Sequence, residues 1–282
     1  MRRLVCVLIA TMVCAWAGAD ELADAGRALL GKYEGALVTL QLTIKESYSA
    51  PDMGTEEMEY TMERPAVVVD PSGLAVTSLS MVDPTAAEEI PEEEGYKYTI
   101  NVTSAKMIRS DGKEMVVKLA LRDKDLDVAV FKPEAALPEP AVFVDMSTAV
   151  APEALDPLLM LFRMDKVAGR AAGAGLARIN AVPKKPRQYY VVGQADQMIG
   201  AAAFTAKGEP VGLVTLRWAQ LGEDESMSLF GSGSMVELPI VLPAPDLMDV
   251  VKQAREAQPE VAAPAEAAPA APAPAPAPAS AP

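Results

Sequence analysis

Short stretches in which apolar residues alternate with polar ones, separated by turn sequences, are the feature that most constrains the fold of this chain. In residues 35–45 every second position is apolar, which is the period of a half-buried β-strand: Ala36, Val38, Leu40, Leu42 and Ile44. Asp-Pro-Ser-Gly at residues 70–73 lies between two apolar runs, and Ser-Asp-Gly-Lys at residues 110–113 lies between two more. Aspartate, proline and glycine favour turns, so both segments are predicted to be β-hairpins.

The predicted strands recur along the whole middle of the chain. Four more are predicted at residues 128–131, 189–192, 201–205 and 211–216. Helical spacing is limited to a short amphipathic stretch at 21–31 and to residues 245–257, where four apolar residues fall on one face: Leu247, Val250, Val251 and Ala254. Many short strands joined by turns are typical of a β-barrel or a β-sandwich. We therefore expect an all-β domain with a short C-terminal helix.

The two ends of the chain differ in composition from the middle. Residues 1–19 contain two arginines, an apolar run from Leu4 to Trp16, and then Ala-Gly-Ala, which is the pattern of an export signal peptide. Residues 257–282 hold 13 alanines and 8 prolines, which predicts an extended or disordered tail. The expected organisation is a signal peptide (1–19), one β domain (20–256) and a tail (257–282), in a protein that is periplasmic or secreted.

The chain contains no histidine, and this absence excludes more chemistry than any other count. Imidazole is the usual base of the Ser-His-Asp triad, so that triad is excluded. Both cysteines, Cys6 and Cys14, lie in the predicted signal peptide. We therefore expect no disulfide, no cysteine nucleophile, no metal site of cysteine and histidine, and no cofactor.

The charge of the chain also limits its partners. The 25 lysines and arginines are outnumbered by 39 aspartates and glutamates, which gives a net charge of −14. Such a surface repels nucleic acid. No segment after the predicted signal peptide is apolar and long enough to span a bilayer, so no stable membrane insertion is expected.

Four motifs follow one another in an order that matches a known family. Residues 68–82 form a predicted hairpin that runs into Val-Thr-Ser-Leu-Ser, and residues 110–130 end in Asp-Leu-Asp-Val-Ala-Val. Residues 194–212 and 231–243 supply the third and fourth motifs. In this order they resemble the HtrA-type trypsin-like serine proteases, over residues 35–256. The resemblance implies a trypsin-like double six-stranded β-barrel, here without the PDZ modules of that family.

The catalytic positions of the family can be carried over one by one. The histidine position falls on Ser80, the aspartate position on Asp127, and the serine position on Gly200, or on Ile199 if the next hairpin has no deletion. Only Asp127 matches, and Ala201-Ala202-Ala203 replaces the Gly-Gly-Pro beside the family's nucleophile. The resemblance therefore implies a protease homologue without activity, which binds a peptide or protein in the former substrate cleft.

Two other functions stay open at this point. An active hydrolase could use groups outside the triad, such as a Ser-Lys dyad or a carboxylate pair. A structural cell-envelope protein would use the acidic surface and the Pro/Ala tail as a spacer. A peptide could also bind on a sheet edge instead of in the cleft.

No function is predicted from three weaker motifs. The acidic run at residues 88–94 is predicted to be a solvated loop, because it lacks the ligand spacing of a calcium loop. Gly169, Gly173 and Gly175 are predicted to lie in a strand that needs small side chains, because no phosphate-loop pattern surrounds them. Ser232 does not fit the Gly-x-Ser-x-Gly nucleophile motif.

Overall fold

The computed structural model describes residues 21–50, 54–83, 97–220 and 235–256. Within these ranges the strands form two closed antiparallel barrels of six strands each. The first barrel has the strand order β1-β2-β3-β6-β5-β4, with the bounds β1 Leu37–Ala50, β2 Gly54–Val68, β3 Ala75–Ser78, β4 Lys97–Ile108, β5 Glu114–Asp123 and β6 Val128–Pro133. The second has the order β10-β11-β12-β9-β8-β7, with the bounds β7 Pro157–Arg163, β8 Ala172–Ala181, β9 Tyr190–Val192, β10 Ala202–Thr205, β11 Pro210–Gln220 and β12 Met235–Pro243.

The turn sequences form the two predicted hairpins. β2 pairs with β3, with Val67 opposite Val76, and the backbone N–H of Ser72 donates to Asp70 Oδ1 at 2.8 Å inside the turn. β4 pairs with β5 across the turn at residues 110–113. Aspartate side chains that accept from the backbone two residues later are a known stabiliser of such turns. Both hairpin predictions are therefore confirmed.

Two α-helices of the described ranges pack against the barrels. Residues 21–33 form α1, and Ala244–Glu256 forms α2, the predicted C-terminal helix. Helix α1 contacts Leu159 and Phe204 of the second barrel. The α2 residues that share one face are buried in a hydrophobic core that includes residues of both barrels: Ala244, Leu247, Val250, Val251 and Ala254. Arg255 near the end of α2 forms an ion pair with the buried carboxylate of Asp70 in the β2–β3 turn.

Some strands differ from the prediction. β7 was not predicted, because its run Leu-Leu-Met-Leu is buried on both faces and shows no alternation. β8 contains Gly173 and Gly175 as expected, and a Cβ on Gly175 would collide with the sulfur of Met198. Gly169 instead lies before the strand, at φ +66 at the end of a 3₁₀ turn. The prediction that placed Gly169 in the strand was wrong.

The two barrels are joined by arginines of the second barrel. Arg163 is buried, and its guanidinium donates to the Leu37 carbonyl at 2.8 Å and to the Glu34 carbonyl at 3.0 Å. Arg170 forms a two-bond ion pair with Glu63 of β2, with nitrogen–oxygen distances of 2.6 and 2.8 Å. Planar, two-bond pairing of this kind fixes orientation as well as distance. These contacts fix the position of one barrel against the other.

Several predicted segments lie outside the described residues. They are the signal peptide (1–19), the tail (257–282), the acidic run at 88–94 and Ser232. Among the helices in the described part of the chain, none combines the length and the apolar character that crossing a membrane would need.

Candidate functional site

Asp127 is the centre of the candidate site. It ends the turn between β5 and β6 with φ +55, a left-handed conformation that aspartate adopts more readily than most residues. Only 4% of its surface is exposed. The next residue, Val128, begins β6 and pairs with Ser78 at the end of β3. The chain therefore carries this carboxylate to the end of β3, where the predicted Ser80 also lies.

Four donors surround the Asp127 carboxylate. The backbone N–H of Ser80 donates to Oδ1 at 2.7 Å, and the backbone N–H of Leu216 in β11 donates to Oδ2 at 2.8 Å. The Ser78 and Ser80 hydroxyls also donate to Oδ2, the second at 3.2 Å. Leu216 belongs to the second barrel, so this carboxylate is bonded to both barrels.

Burial dominates the electrostatics of this carboxylate. Loss of solvent raises the pKa of Asp127 above its ordinary value, while the hydrogen bonds from Ser78, Leu216 and Ser80 act in the opposite direction. No ion pair joins Asp127 to a lysine or arginine of the described residues. The same residues contain no group of three potential metal ligands. The four hydrogen-bond donors around this carboxylate are thus all uncharged, and we call them the cradle.

Ser80 occupies the place where the resemblance puts the catalytic histidine. It lies in the 3₁₀ turn Leu79–Met81, directly after β3, and its hydroxyl oxygen is 2.7 Å from that of Ser78. A hydroxyl does not accept a proton from another hydroxyl near neutral pH, which is the task of imidazole in the triad. The Ser78–Ser80 pair therefore fills the space beside Asp127 without supplying a base.

Gly200 occupies a position that only glycine fits. Its φ is +84, and a Cβ would lie 2.8 Å from the Thr77 hydroxyl oxygen and 3.1 Å from the Pro65 carbonyl oxygen. Its N–H donates to the Val214 carbonyl of β11 at 2.8 Å. The alternative nucleophile position, Ile199, is buried and apolar. Gly200 therefore lies against Thr77 of β3, the residue before Ser78. As a glycine it has no side chain that could act as a nucleophile.

The structure brings together the sequence-predicted residues. Ser80 and Asp127 are hydrogen-bonded, and Gly200 lies beside Thr77 of β3, the strand that leads to Ser80. The prediction did not name Ser78 or Leu216, which also bind the carboxylate. Ser78 could have been found as a second hydroxyl two residues before Ser80. The Leu216 contact could not, because it is made by a backbone N–H from a distant strand.

A small pocket adjoins this site, and we call the strip that continues from it along β11 to Trp218 the groove. Residues that line the pocket include Leu126, Tyr189, Leu216 and Arg217. The Leu216 N–H is directed at Asp127 and not at β12. The N–H and C=O of Leu216 therefore both point away from β12. Residues two apart in a strand direct their N–H and C=O groups the same way, so those of Trp218 face the groove as well. Within the described ranges no strand pairs with this edge of residues 216–218. Beside this edge the Arg217 guanidinium lies over the Tyr189 ring, with its Cζ 5.0 Å from the ring centroid.

These features define the trypsin-like fold: two six-stranded antiparallel barrels with a buried aspartate bridging them. A solved structure of the HtrA-type protease AlgW, a variant form with a decapeptide, is similar to this chain with a TM-score of 0.53 and 15% sequence identity. The likeness covers 82% of this chain and 67% of that one. No protein-family model and no curated protein matches the sequence. The comparison confirms the predicted fold, and at this identity it shows the fold alone.

Proposed function

We propose that this chain is a pseudoprotease: a trypsin-like protein without catalytic activity that binds an extended peptide in the groove along β11. The observation that carries the proposal is the environment of Asp127. Two serine hydroxyls and two backbone N–H groups donate hydrogen bonds to the carboxylate, and the chain has no histidine. The aspartate is retained as a structural acceptor between the barrels instead of orienting a base.

The rest of the site also argues against triad chemistry. Gly200 has no side chain, and its surroundings leave no room for one. Acyl transfer by the triad needs a nucleophile and a base in contact, because the base must take the proton of the nucleophile as it attacks. A Ser-Lys dyad would need a lysine bonded to a serine hydroxyl, and no such pair occurs among the described residues. No observation favours the hydrolase alternative.

The open edge of β11 supports peptide binding. A peptide in extended conformation could add to this edge and bond the groove-facing groups of Trp218, which is a common mode of peptide recognition. The similar structure is described with a decapeptide. We propose the same class of ligand here, an extended peptide or a segment of a protein. Residues 1–19 support an exported location, in the periplasm or outside the cell.

Binding in the groove is tested with a library of displayed decapeptides selected on the full chain. The dissociation constant of a selected peptide is then measured by fluorescence anisotropy for the parent and for two variants. Trp218→Pro removes the groove-facing N–H and leaves the pairing with β12, whereas Trp218→Ala keeps the N–H and changes only the side chain. We expect Trp218→Pro to weaken binding at least tenfold and Trp218→Ala to weaken it less. Equal affinities for parent and Trp218→Pro, or cleavage of the peptide, would contradict the proposal.

A further inference from the structure

Three strands of the first barrel continue beyond the point where the barrel closes. We call this extension the arm: residues 45–50 of β1, 54–62 of β2 and 97–104 of β4. β2 pairs with β3 only at Val67 and Val68, and β4 pairs with β5 only from Ala105 onward. β1 lies between β2 and β4 along its length. In the described part of the chain, the outer edges of both β2 and β4 are therefore unpaired within the arm.

The β2 edge of the arm is open to solvent. Residues 54–59 are all exposed, and Met58 has 63% of its surface exposed. An exposed strand edge presents backbone N–H and C=O groups that another strand can bond. Proteins often protect such an edge by a short strand, a bulge, proline or charged side chains, and here the protection is charge, from the glutamates of β2. No residue of 54–62 is proline, and the β1–β2 pairing is regular throughout.

The charge on this edge selects among possible occupants. Glu56, Glu57 and Glu59 follow one another within four positions, and only Glu57 forms an ion pair among the described residues, with Lys45 at 2.9 Å. Antiparallel pairing of two copies centred on Met58 would place Glu57 opposite Glu59 of the other copy. Like charges directly opposite each other destabilise a sheet. The edge therefore disfavours a second copy and suits a basic strand.

The aromatic face of the arm favours the same ligand. Glu46 of β1 lies opposite Met58 of β2 and Ile100 of β4, and Tyr48 lies opposite Tyr98. The Tyr60 hydroxyl donates to Glu46 Oε1. Tyrosine rings, an exposed methionine and a carboxylate together form a surface on which the stem and charge of lysine or arginine can pack. Glu56 lies on this face, since it is two residues from Met58, and Glu59 lies on the other.

We propose that the β2 edge of the arm docks a basic, extended segment of a partner protein. The segment adds as a fourth antiparallel strand, bonds the free backbone groups of residues 54–62, and directs lysine or arginine side chains to Glu56 and Glu59. This surface is separate from the groove beside Asp127, so it stands or fails independently of the proposed function.

The test measures anisotropy of a labelled ten-residue peptide with the repeat Lys-Lys-Thr-Thr, which places lysine on both faces of an extended strand, mixed with the full chain. A peptide with glutamate in place of lysine is the first control. The double variant Glu56→Gln/Glu59→Gln is compared with Glu139→Gln/Glu153→Gln, which removes two exposed carboxylates elsewhere and gives the same net charge. We expect the first pair to weaken binding at least tenfold and the second to change it less than twofold. Trp218→Pro should leave this affinity unchanged.

Backbone addition is tested by two neighbouring prolines, Glu57→Pro and Met58→Pro. Adjacent residues direct their N–H groups to opposite sides of the strand, so one proline breaks the pairing with β1 and the other removes only an outward donor. The variant that keeps the parent's melting temperature should lose peptide binding. The proposal is overturned if that variant binds the lysine peptide with the parent's affinity, or if the parent binds the glutamate peptide equally well. It is also overturned if the two double glutamine variants weaken binding to the same extent. If analytical sedimentation shows a dimer, and Glu56→Gln/Glu59→Gln strengthens it, the edge binds a second copy of the chain instead.

Discussion

Gly200→Ala tests whether the nucleophile position of the fold is sterically closed in this chain. A non-glycine residue at φ +84 costs about 1–2 kcal/mol. The new Cβ would also lie 2.8 Å from the Thr77 hydroxyl oxygen and 3.1 Å from the Pro65 carbonyl oxygen. Overpacking of this kind costs about 1–3 kcal/mol. We therefore expect Gly200→Ala to lower the free energy of unfolding by roughly 2–5 kcal/mol.

The matched control is Gly112→Ala, in the β4–β5 turn. Gly112 has φ +78, but nothing lies within 4 Å of a Cβ built there. This variant therefore carries the backbone cost of about 1–2 kcal/mol without the crowding. Urea unfolding followed by circular dichroism gives both free energies. Equal losses for the two variants would refute the argument that Thr77 and Pro65 close this position.

A double variant separates the contact with Thr77 from the backbone effect. Thr77→Ala removes the hydroxyl that a Cβ at position 200 would meet, although it also removes the hydrogen bond to the Pro65 carbonyl. Gly200→Ala should cost less in the Thr77→Ala background than in the parent. An unchanged cost would show that the crowding comes from elsewhere.

Three further predictions concern charges and chemistry at the barrel interface. Asp127→Asn removes a carboxyl whose pKa burial raises above 3.8, so the parent should gain stability relative to this variant as the pH falls from 7 toward 3.8, measured by urea unfolding. Glu63→Gln breaks the pair with Arg170, which lowers the pKa of Glu63 below 4.5. The variant should melt at a lower temperature than the parent at pH 7, and the difference should shrink as the pH falls through that lowered pKa. Ser80→His should yield no ester hydrolysis in a chromogenic assay, because Gly200 supplies no nucleophile.

The fold was largely predictable because its turns have distinctive residues. Asp70 and Gly73 lie in a hairpin turn whose sequence is readable without any tertiary information. β7 was missed because a strand buried on both faces loses the alternation that identifies it. The extent of β2 was missed for the opposite reason, since its exposed half carries little apolar signal.

The site was predictable only as far as the family resemblance reached. It placed Ser80 and Asp127 together, and they are hydrogen-bonded. Spacing could not indicate that a backbone N–H from β11 completes the cradle, because Leu216 is 89 residues from Asp127. Nor could it show that Thr77 crowds Gly200, since that contact depends on how the two barrels meet. Contacts between barrels depend on three-dimensional packing instead of local pattern.

Labelling with a fluorophosphonate probe tests whether this chain lacks serine-protease chemistry. The purified chain is incubated with the probe near neutral pH beside an active trypsin-like protease, and labelled residues are located by mass spectrometry. Casein hydrolysis is measured in the same samples. We expect no labelled serine and no hydrolysis, because the site has neither an imidazole nor a nucleophile at position 200. Labelling of one serine that is lost on unfolding, together with hydrolysis, would show that the chain is an active hydrolase.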